Sequence, residues 1–263
     1  MIKAVAFSNV GNIRSNHEDN FLLGRDNFIS PRVQITMKNN ICTQSASYEG
    51  EDGIFAVCDG MGGHSAGEVA SLNAVRWLND CYEQLLCAQE DELGEYIARL
   101  NEEIVDYSAR YANCHNMGAT LSALVITKNK ICSINAGDSR IYRFDGKSVT
   151  QWSTDHTEGQ RLFDLGLLDE DELKAFPSRK MLYKYLGRKG SLCADVAHAV
   201  YNRGDIFLLC SDGLTDALCN EEIADVITQC DNVSQMGQTL LDKALAKGDV
   251  CADNVTLLLI EIL

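Results

Sequence analysis

Two amphipathic helical stripes, set among short apolar strands, constrain the fold of this 263-residue chain most strongly. In both stripes the apolar side chains recur every three or four residues, which places them on one helix face that must be buried. The first stripe comprises Ala66, Ala70, Ala74, Trp77, Cys81 and Leu85, and the second comprises Leu93, Ile97, Leu100, Ile104, Tyr107 and Tyr111. The spacing predicts two helices packed side by side on a sheet.

Strand patterns precede and follow these helices. Before the helices come IKAVAF, FLLG and GIFAVC. After them come ATLSALVIT, ICSINAGDSRIYRF and SVTQWS, and we predict that these last three segments form an antiparallel meander. Further strands (ADVAHAVY, DIFLLC, VTLLLIEIL) surround a second helix pair (NEEIADVITQC, VSQMGQTLLDKALAKG). The polar stretch 25–52 is either a longer strand pair or a loop. Meanders with segregated helices indicate an α+β sandwich rather than a parallel α/β sheet.

Composition narrows the classes of partner. The formal net charge of −15 argues against broad contact with nucleic-acid phosphates or anionic lipid, because both would repel this surface. No apolar run reaches the roughly 18 residues of a membrane-spanning helix. Eleven cysteines, an odd number, with no secretory leader pattern indicate a reducing cytoplasm. With two prolines and no linker, residues 1–263 are expected to form one domain, and the acidic surface is compatible with a monomer.

Four aspartates each adjoin a strongly apolar strand. Asp59 ends GIFAVC, Asp138 interrupts ICSINAGDSRIYRF, Asp212 ends DIFLLCS, and Asp253 precedes VTLLLIEIL. An ionised carboxylate at the margin of a dry core is costly unless it is paired or binds a metal ion. A group of aspartates suits Mg²⁺ or Mn²⁺, and two such ions sharing a carboxylate can activate water for phosphate displacement.

Each of these features has a plainer interpretation. An Asp-Gly pair is often a hairpin turn, as we expect for Asp145-Gly146, but Asp59-Gly60 and Asp212-Gly213 precede helical patterns instead. The segment DGMGGHSAGE could be a glycine-rich nucleotide cradle, although it lacks GxGxxG spacing and a following Lys-Ser/Thr. Arg14 can bind a phosphate through two hydrogen bonds, or it can pair with Glu18 at the surface.

Seven motifs resemble those of the metal-dependent serine/threonine protein phosphatases of the 2C type, in their compact bacterial form. The motifs occur in the order typical of that family and span nearly the whole chain. They are SNVGNIRSNHEDN, AVCDGMGGHSAGEVAS, MGATLSALVI, INAGDSRIYRF, STDHT, GDIFLLCSDGLTDAL and ADNVTLLLI. The resemblance implies a four-layer α-β-β-α sandwich with two central antiparallel sheets flanked by helix pairs, and a mobile flap near residues 155–190. It also implies hydrolysis of phosphoserine and phosphothreonine, without a phosphoenzyme, by water activated at two or three Mn²⁺ or Mg²⁺ ions.

The resemblance also implies a set of metal ligands. Asp59 would bridge two ions, and the carbonyl of Gly60 would bind one of them. Asp212 and Asp253 would complete the shell of the first ion. Asp138 looks like the acid that, with Asp212, holds a third ion in bacterial relatives.

Four further residues resemble the family's catalytic groups. Arg14 is similar to the arginine that binds the substrate phosphate, and Asp19, with Glu18 beside it, would orient metal-bound water. His64 is the nearest match to the proposed general acid, although the inserted Met-Gly-Gly before it changes its reach. His17 stands where relatives usually carry Asn, a difference that would affect supporting hydrogen bonds rather than a ligand.

Substrate preference transfers least from the resemblance. The segment Ser178-Arg179-Lys180-Met181 departs from the usual Arg-Asn pair of the flap. The implied partners are phosphorylated proteins and a cognate serine/threonine kinase. An alternative role is to oppose an anti-sigma-factor kinase. The competing hypothesis is a pseudophosphatase that binds phosphoproteins without turnover.

Overall fold

Two antiparallel sheets form the centre of the protein, seen in a computed structural model that describes residues 1–33, 44–62, 66–128, 130–247 and 253–263. The six-stranded sheet contains, in spatial order, β10 (Val149–Gln151), β9 (Arg140–Phe144), β12 (Ile206–Cys210), β13 (Val255–Ile262), β1 (Ile2–Asn9) and β3 (Gln44–Gly50). The five-stranded sheet contains β11 (Asp195–Ala199), β8 (Lys130–Ala136), β7 (Leu121–Thr127), β4 (Gly53–Cys58) and β2 (Asn20–Leu23). A short pair, β5 (Gly60–Met61) and β6 (Gly118–Ala119), lies apart from both.

The inner faces of the two sheets enclose an apolar core. Phe55 and Leu124 from the five-stranded sheet and Phe207 and Leu258 from the six-stranded sheet belong to it, and all four side chains are fully buried. Strands β4, β12 and β13 are apolar almost throughout because helices cover their outer faces as well.

Helices cover both outer faces. Against the five-stranded sheet lie α1 (Gly67–Asp80), α2 (Tyr82–Cys87) and α3 (Glu90–Arg110), and against the six-stranded sheet lie α6 (Asp212–Ala217), α7 (Asn220–Gln229) and α8 (Val233–Ala246). The α+β sandwich is therefore confirmed, with three helices on each face rather than two among the described residues. Between β10 and β11, α4 (Glu158–Asp164) and α5 (Glu170–Ala175) occupy the segment that the sequence assigns to the flap.

The helical stripes are buried as predicted, except that Trp77, Cys81 and Tyr107 are half-buried and Tyr111 is exposed. Ala70, Ala74, Ile97 and Leu100 are fully buried between the helices and the sheet. The first stripe is divided between α1 and α2, because the helix breaks at Cys81. The second ends early, since α3 stops at Arg110 and the side chain of Tyr111 is 53% exposed.

The predicted meander is wrong at one connection. Strands β7 and β8 pair antiparallel, but the chain then crosses from the five-stranded sheet to the six-stranded sheet, where β9 pairs with β10 and β12. Gly137 allows this crossing, because its φ of 127° is a conformation that side-chain-bearing residues rarely adopt. The crossing leaves Asp138 between the two sheets.

The described part of the 25–52 stretch contains one strand, β3, and its antiparallel partner is β1, which lies outside the stretch. Residues 34–43 of that stretch lie outside the described residues. Of the helices that the structure describes, none combines the length and apolarity needed to cross a membrane.

Candidate metal centre

The ends of four strands bring four aspartates to one cavity of about 500 Å³. Asp59 follows β4 and Asp138 follows β8, whereas Asp212 follows β12 and Asp253 precedes β13. Two of these strands belong to each sheet, so the cavity lies where one edge of the sandwich opens between the sheets. We call it the acidic cavity; its lining also includes Arg14, Glu18, Gly60, Thr120, Lys180 and Tyr185.

The backbone at Asp59 is held on both sides. The Asp59 amide donates to the Thr120 hydroxyl at 2.9 Å, and the Thr120 amide donates to the Asp59 carbonyl at 2.8 Å. At Gly60 a Cβ atom would overlap the carbonyl oxygens of Glu18 and Gly67. Only glycine therefore fits where three segments meet: the N-terminal motif SNVGNIRSNHEDN (residues 8–20), β5 and the start of α1.

Burial and mutual repulsion raise the pKa values of the crowded carboxyls. Burial raises the pKa of Asp59 well above its ordinary value, and the charges of Asp19 and Asp212 raise it further. Burial, followed by the charge of Asp212, raises the pKa of Asp138 to about 7. Without cations, these carboxyls therefore hold their protons to a higher pH than an ordinary aspartate does. Hard oxygen donors that repel one another are a donor set that suits divalent cations such as Mn²⁺ or Mg²⁺.

Asp19 lies behind the acidic cavity and is almost fully buried. Burial raises its pKa to about 7, although its carboxylate accepts a hydrogen bond from the Ser211 hydroxyl at 2.7 Å. The ring of His17 connects the backbone at Asp19 to β1. Its Nδ1 lies 3.1 Å from the Asp19 carbonyl, and its Nε2 lies 3.0 Å from the Ser8 hydroxyl. Burial lowers the pKa of His17 to about 4, so the ring is neutral at physiological pH.

Asn254 ties the N-terminal motif to β13. Its side-chain oxygen accepts from the Glu18 amide at 2.7 Å, and its nitrogen donates to the carbonyls of Val10 and Asn16, each at 2.9 Å. The side chain is 3% exposed. Glu18 is thereby held at the cavity rim, where burial raises the pKa of its carboxyl and the charge of Glu68 raises it further.

Two cations from different parts of the chain bind aspartates of the cavity. Arg14 donates to Asp253 at 2.7 Å, and Lys180 donates to Asp212 at 3.1 Å and to Asp216. Within the described ranges, no group of three or more acidic, histidine or cysteine side chains could hold a metal ion in this arrangement. Arg14 and Lys180 each occupy one carboxylate oxygen, Arg14 on Asp253 and Lys180 on Asp212.

Most of the site residues predicted from the sequence meet in or directly behind the acidic cavity. His64 lies outside the described residues, so its position relative to the cavity stays a prediction. Sequence reasoning missed the supporting roles of Thr120 and Asn254, although both stand inside quoted motifs, in GAT and ADN. It also missed Asp216, which lies one helical turn after Asp212 in α6 and whose spacing was the available signal.

Comparison with known proteins identifies the family. The sequence model of the family "Protein phosphatase 2C" matches residues 38–247. The serine/threonine phosphatase Stp of Listeria welshimeri is 34% identical over 213 residues, which cover 79% of this chain and 84% of that protein. The protein phosphatase PhpP of Streptococcus pneumoniae is 30% identical over 208 residues, covering 78% of this chain and 84% of the relative.

Solved structures agree with the sequence comparison. The serine/threonine phosphatase Stp1 from Staphylococcus aureus superposes with a TM-score of 0.83 at 26% identity, covering 100% of this chain and 96% of that one. The catalytic domain of the phosphatase PstP in complex with two manganese ions superposes with a TM-score of 0.76 at 26% identity, covering 99% of both chains.

The chain belongs to the protein phosphatase 2C family and is a metal-dependent protein phosphatase. The relatives named above are all called phosphatases, and nothing in them supports the pseudophosphatase alternative.

Proposed function

We propose that this phosphatase hydrolyses phosphoserine and phosphothreonine in proteins, with two or three Mn²⁺ or Mg²⁺ ions bound in the acidic cavity. In the reaction a water oxygen bonds to phosphorus, the bond to the serine or threonine oxygen breaks, and that oxygen leaves with a proton. The observation that carries the proposal is the convergence of four strand-end carboxylates and the Arg14 guanidinium on one cavity. The names of the serine/threonine phosphatases to which the chain is similar support the substrate class.

The residues that would hold the ions are Asp59, the carbonyl of Gly60, Asp138, Asp212 and Asp253. Their crowding, which raises the pKa values of Asp59 and Asp138, supports this assignment, because added positive charge relieves the repulsion. When bound, divalent ions lower the pKa of water and offset the negative charge of the phosphate.

Arg14 is proposed to bind the phosphate oxygens. It lies at the cavity mouth with its side chain 53% exposed, so the guanidinium can leave Asp253 for a substrate without crossing the core. A guanidinium can bind two phosphate oxygens at once, which positions phosphorus for attack. Glu18 at the rim and Asp19 behind it are proposed to orient the attacking water by accepting its hydrogen bonds.

Other parts of the proposal rest on the sequence. His64 is proposed as the general acid that protonates the leaving oxygen. Residues 1–263 are proposed to form a single catalytic domain with a flap at about 155–190. We further propose a cytoplasmic monomer, consistent with its acidic surface, that opposes a serine/threonine kinase.

Hydrolysis of a phosphothreonine peptide, measured with and without Mn²⁺, tests the proposed function. We expect Mn²⁺-dependent phosphate release that is lost in Asp212→Ala. The matched control is Asp242→Ala, an exposed aspartate of α8 whose carboxylate accepts a hydrogen bond from Gln238. An active Asp212→Ala protein would contradict the ligand assignment, and an inactive wild-type protein would contradict the proposed substrate class.

A further inference from the structure

A second cavity, of about 550 Å³, lies beside the acidic one and has the opposite charge. It is formed by the C-terminal part of α3, the turn after it and residues 185–189. Arg188, Lys189 and His115 line it, and none of its nine described lining residues carries a carboxylate. This is notable in a chain with 38 acidic and 23 basic residues. We call it the basic cavity.

The two strong cations of the basic cavity are available to a ligand. Arg188 and Lys189 are exposed, and neither forms a salt bridge with any described residue. Some other exposed cations are paired, as Arg25 is with Glu83 and Lys128 with Glu51, but what sets Arg188 and Lys189 apart is that they lie together in a cavity whose described lining has no carboxylate. An anionic group that enters the basic cavity therefore meets cations that no carboxylate in the described part of the chain neutralises.

A buried amide holds the loop that carries these cations. The side-chain oxygen of Asn101 accepts from the Gly187 amide at 2.8 Å, and its nitrogen donates to the carbonyls of Arg188 at 3.1 Å and Gly190 at 3.3 Å. Asn101 is 1% exposed. All polar atoms of this buried side chain thus bind the loop, which fixes the backbone at Arg188 and Lys189 before any ligand arrives.

The basic cavity adjoins the acidic one. Tyr185 lines both. Leu186 forms a bridge to Ala119 of β6, and Ala119 pairs with Gly60 of β5 at the acidic cavity. Two strand spacings of about 4.8 Å each therefore separate Gly60 from Leu186, about 10 Å in total. An extended peptide covers that distance in about three residues.

We propose that the basic cavity binds acidic side chains of the substrate protein, three or four residues from the phosphorylated residue. The inference rests on the proposed function, because the phosphoresidue in the acidic cavity sets the distance. Arg188 and Lys189 bind the acidic side chains, and the Tyr185 ring lies between the two points of attachment. The phosphatase thereby prefers phosphorylation sites with acidic neighbours, despite its own net negative charge.

Three phosphothreonine peptides test the proposal. One has neutral flanks, one has glutamates three and four residues before the phosphothreonine, and one has them three and four residues after it. Values of kcat/KM for each peptide are measured at saturating Mn²⁺, and fluorescence anisotropy of the labelled peptides measures binding independently of turnover. We expect one of the acidic peptides to exceed the neutral peptide by about twofold to thirtyfold, the range expected for two exposed ion pairs.

The decisive variant reverses both charges, Arg188→Glu with Lys189→Glu. We expect the ratio of acidic to neutral peptide to fall to one or below, in kcat/KM and in binding. The matched control, Lys147→Glu with Arg203→Glu, makes the same charge change at two exposed turn residues that line neither cavity and should retain the wild-type ratio. Raising the salt concentration should reduce the wild-type ratio, because exposed charges are screened.

Three results would overturn the proposal. They are equal values for all peptides with the wild-type protein, an unchanged ratio in the double variant, and an equal loss for acidic and neutral peptides, which would indicate a structural role of the loop. Failure of the proposed function looks different, since no peptide would then be hydrolysed. In that case the anisotropy ratios still decide whether the basic cavity selects acidic flanks.

Discussion

Replacing Arg14 by alanine separates phosphate binding from metal binding. Arg14 and Asp253 are 53% and 37% exposed, so their ion pair contributes only about 0.2–1 kcal/mol. Its loss frees a proposed metal ligand, and the affinity for Mn²⁺ should rise by at most about fivefold. Charged hydrogen bonds from Arg14 to a phosphate are stronger, at about 1.5–3 kcal/mol. We therefore expect kcat/KM to fall by about 10-fold to 150-fold.

Two measurements check this prediction. Steady-state hydrolysis of a phosphothreonine peptide at saturating Mn²⁺ gives kcat/KM, and isothermal titration calorimetry gives the affinity for Mn²⁺. Arg25→Ala is the matched control, because Arg25 is also an exposed arginine in an ion pair, with Glu83, outside the acidic cavity. A kcat/KM within twofold of wild type would refute the phosphate role. A large loss of Mn²⁺ affinity would show that Arg14 maintains the cavity instead.

The remaining predictions concern stability and metal affinity. Asn254→Ala removes three hydrogen bonds of a buried side chain and should lower the free energy of unfolding by about 2–4 kcal/mol in urea denaturation. The metal-free protein should become less stable as the pH rises from about 4 to 7. In this range Asp19 and Asp138, with pKa values of about 7, bind protons in the folded protein that they release on unfolding. His17, with a pKa of about 4, works in the opposite direction below pH 6.5, but it is one group against two. Lys180→Met removes an ammonium that is 48% exposed and should raise Mn²⁺ affinity by at most about fivefold in calorimetry.

Controls make these outcomes specific. Asn202→Ala, in an exposed turn, should leave the free energy of unfolding nearly unchanged. Lys174→Met, on exposed α5, should leave Mn²⁺ affinity unchanged. Stability of the metal-free protein that rises steadily from pH 4 to pH 7 would contradict the raised pKa values, and weaker Mn²⁺ binding in Lys180→Met would contradict competition between this ammonium and the metal.

Local patterns predicted most of the secondary structure, because periodic burial is a property of each segment alone. The helix at Gly67–Asp80 and the strand at Val255–Ile262 are examples. The connection at Gly137 was mispredicted because a local pattern describes each segment alone and not the sheet to which it belongs. The run ICSINAGDSRIYRF has a strand-like pattern on both sides of the glycine, and nothing local shows that β8 and β9 belong to different sheets.

The motifs predicted which carboxylates matter, but not what faces them. Asp212 and Lys180 are 32 residues apart, and only the placement of the flap segment brings the ammonium to the carboxylate. The same holds for Asn254 and Glu18, which are 236 residues apart. The basic cavity was not predicted at all, since His115 and Arg188 share no sequence pattern.

The sequence by itself determined the α+β class, the strand-end aspartates and the family, because these depend on residue type and on spacing along the chain. The tertiary structure alone decided that the four aspartates share one cavity, that Arg14 and Lys180 pair with two of them, and that a basic cavity shares Tyr185 with the acidic one. Electrostatic interaction depends on distance through space, and that distance exists only after the two sheets have stacked.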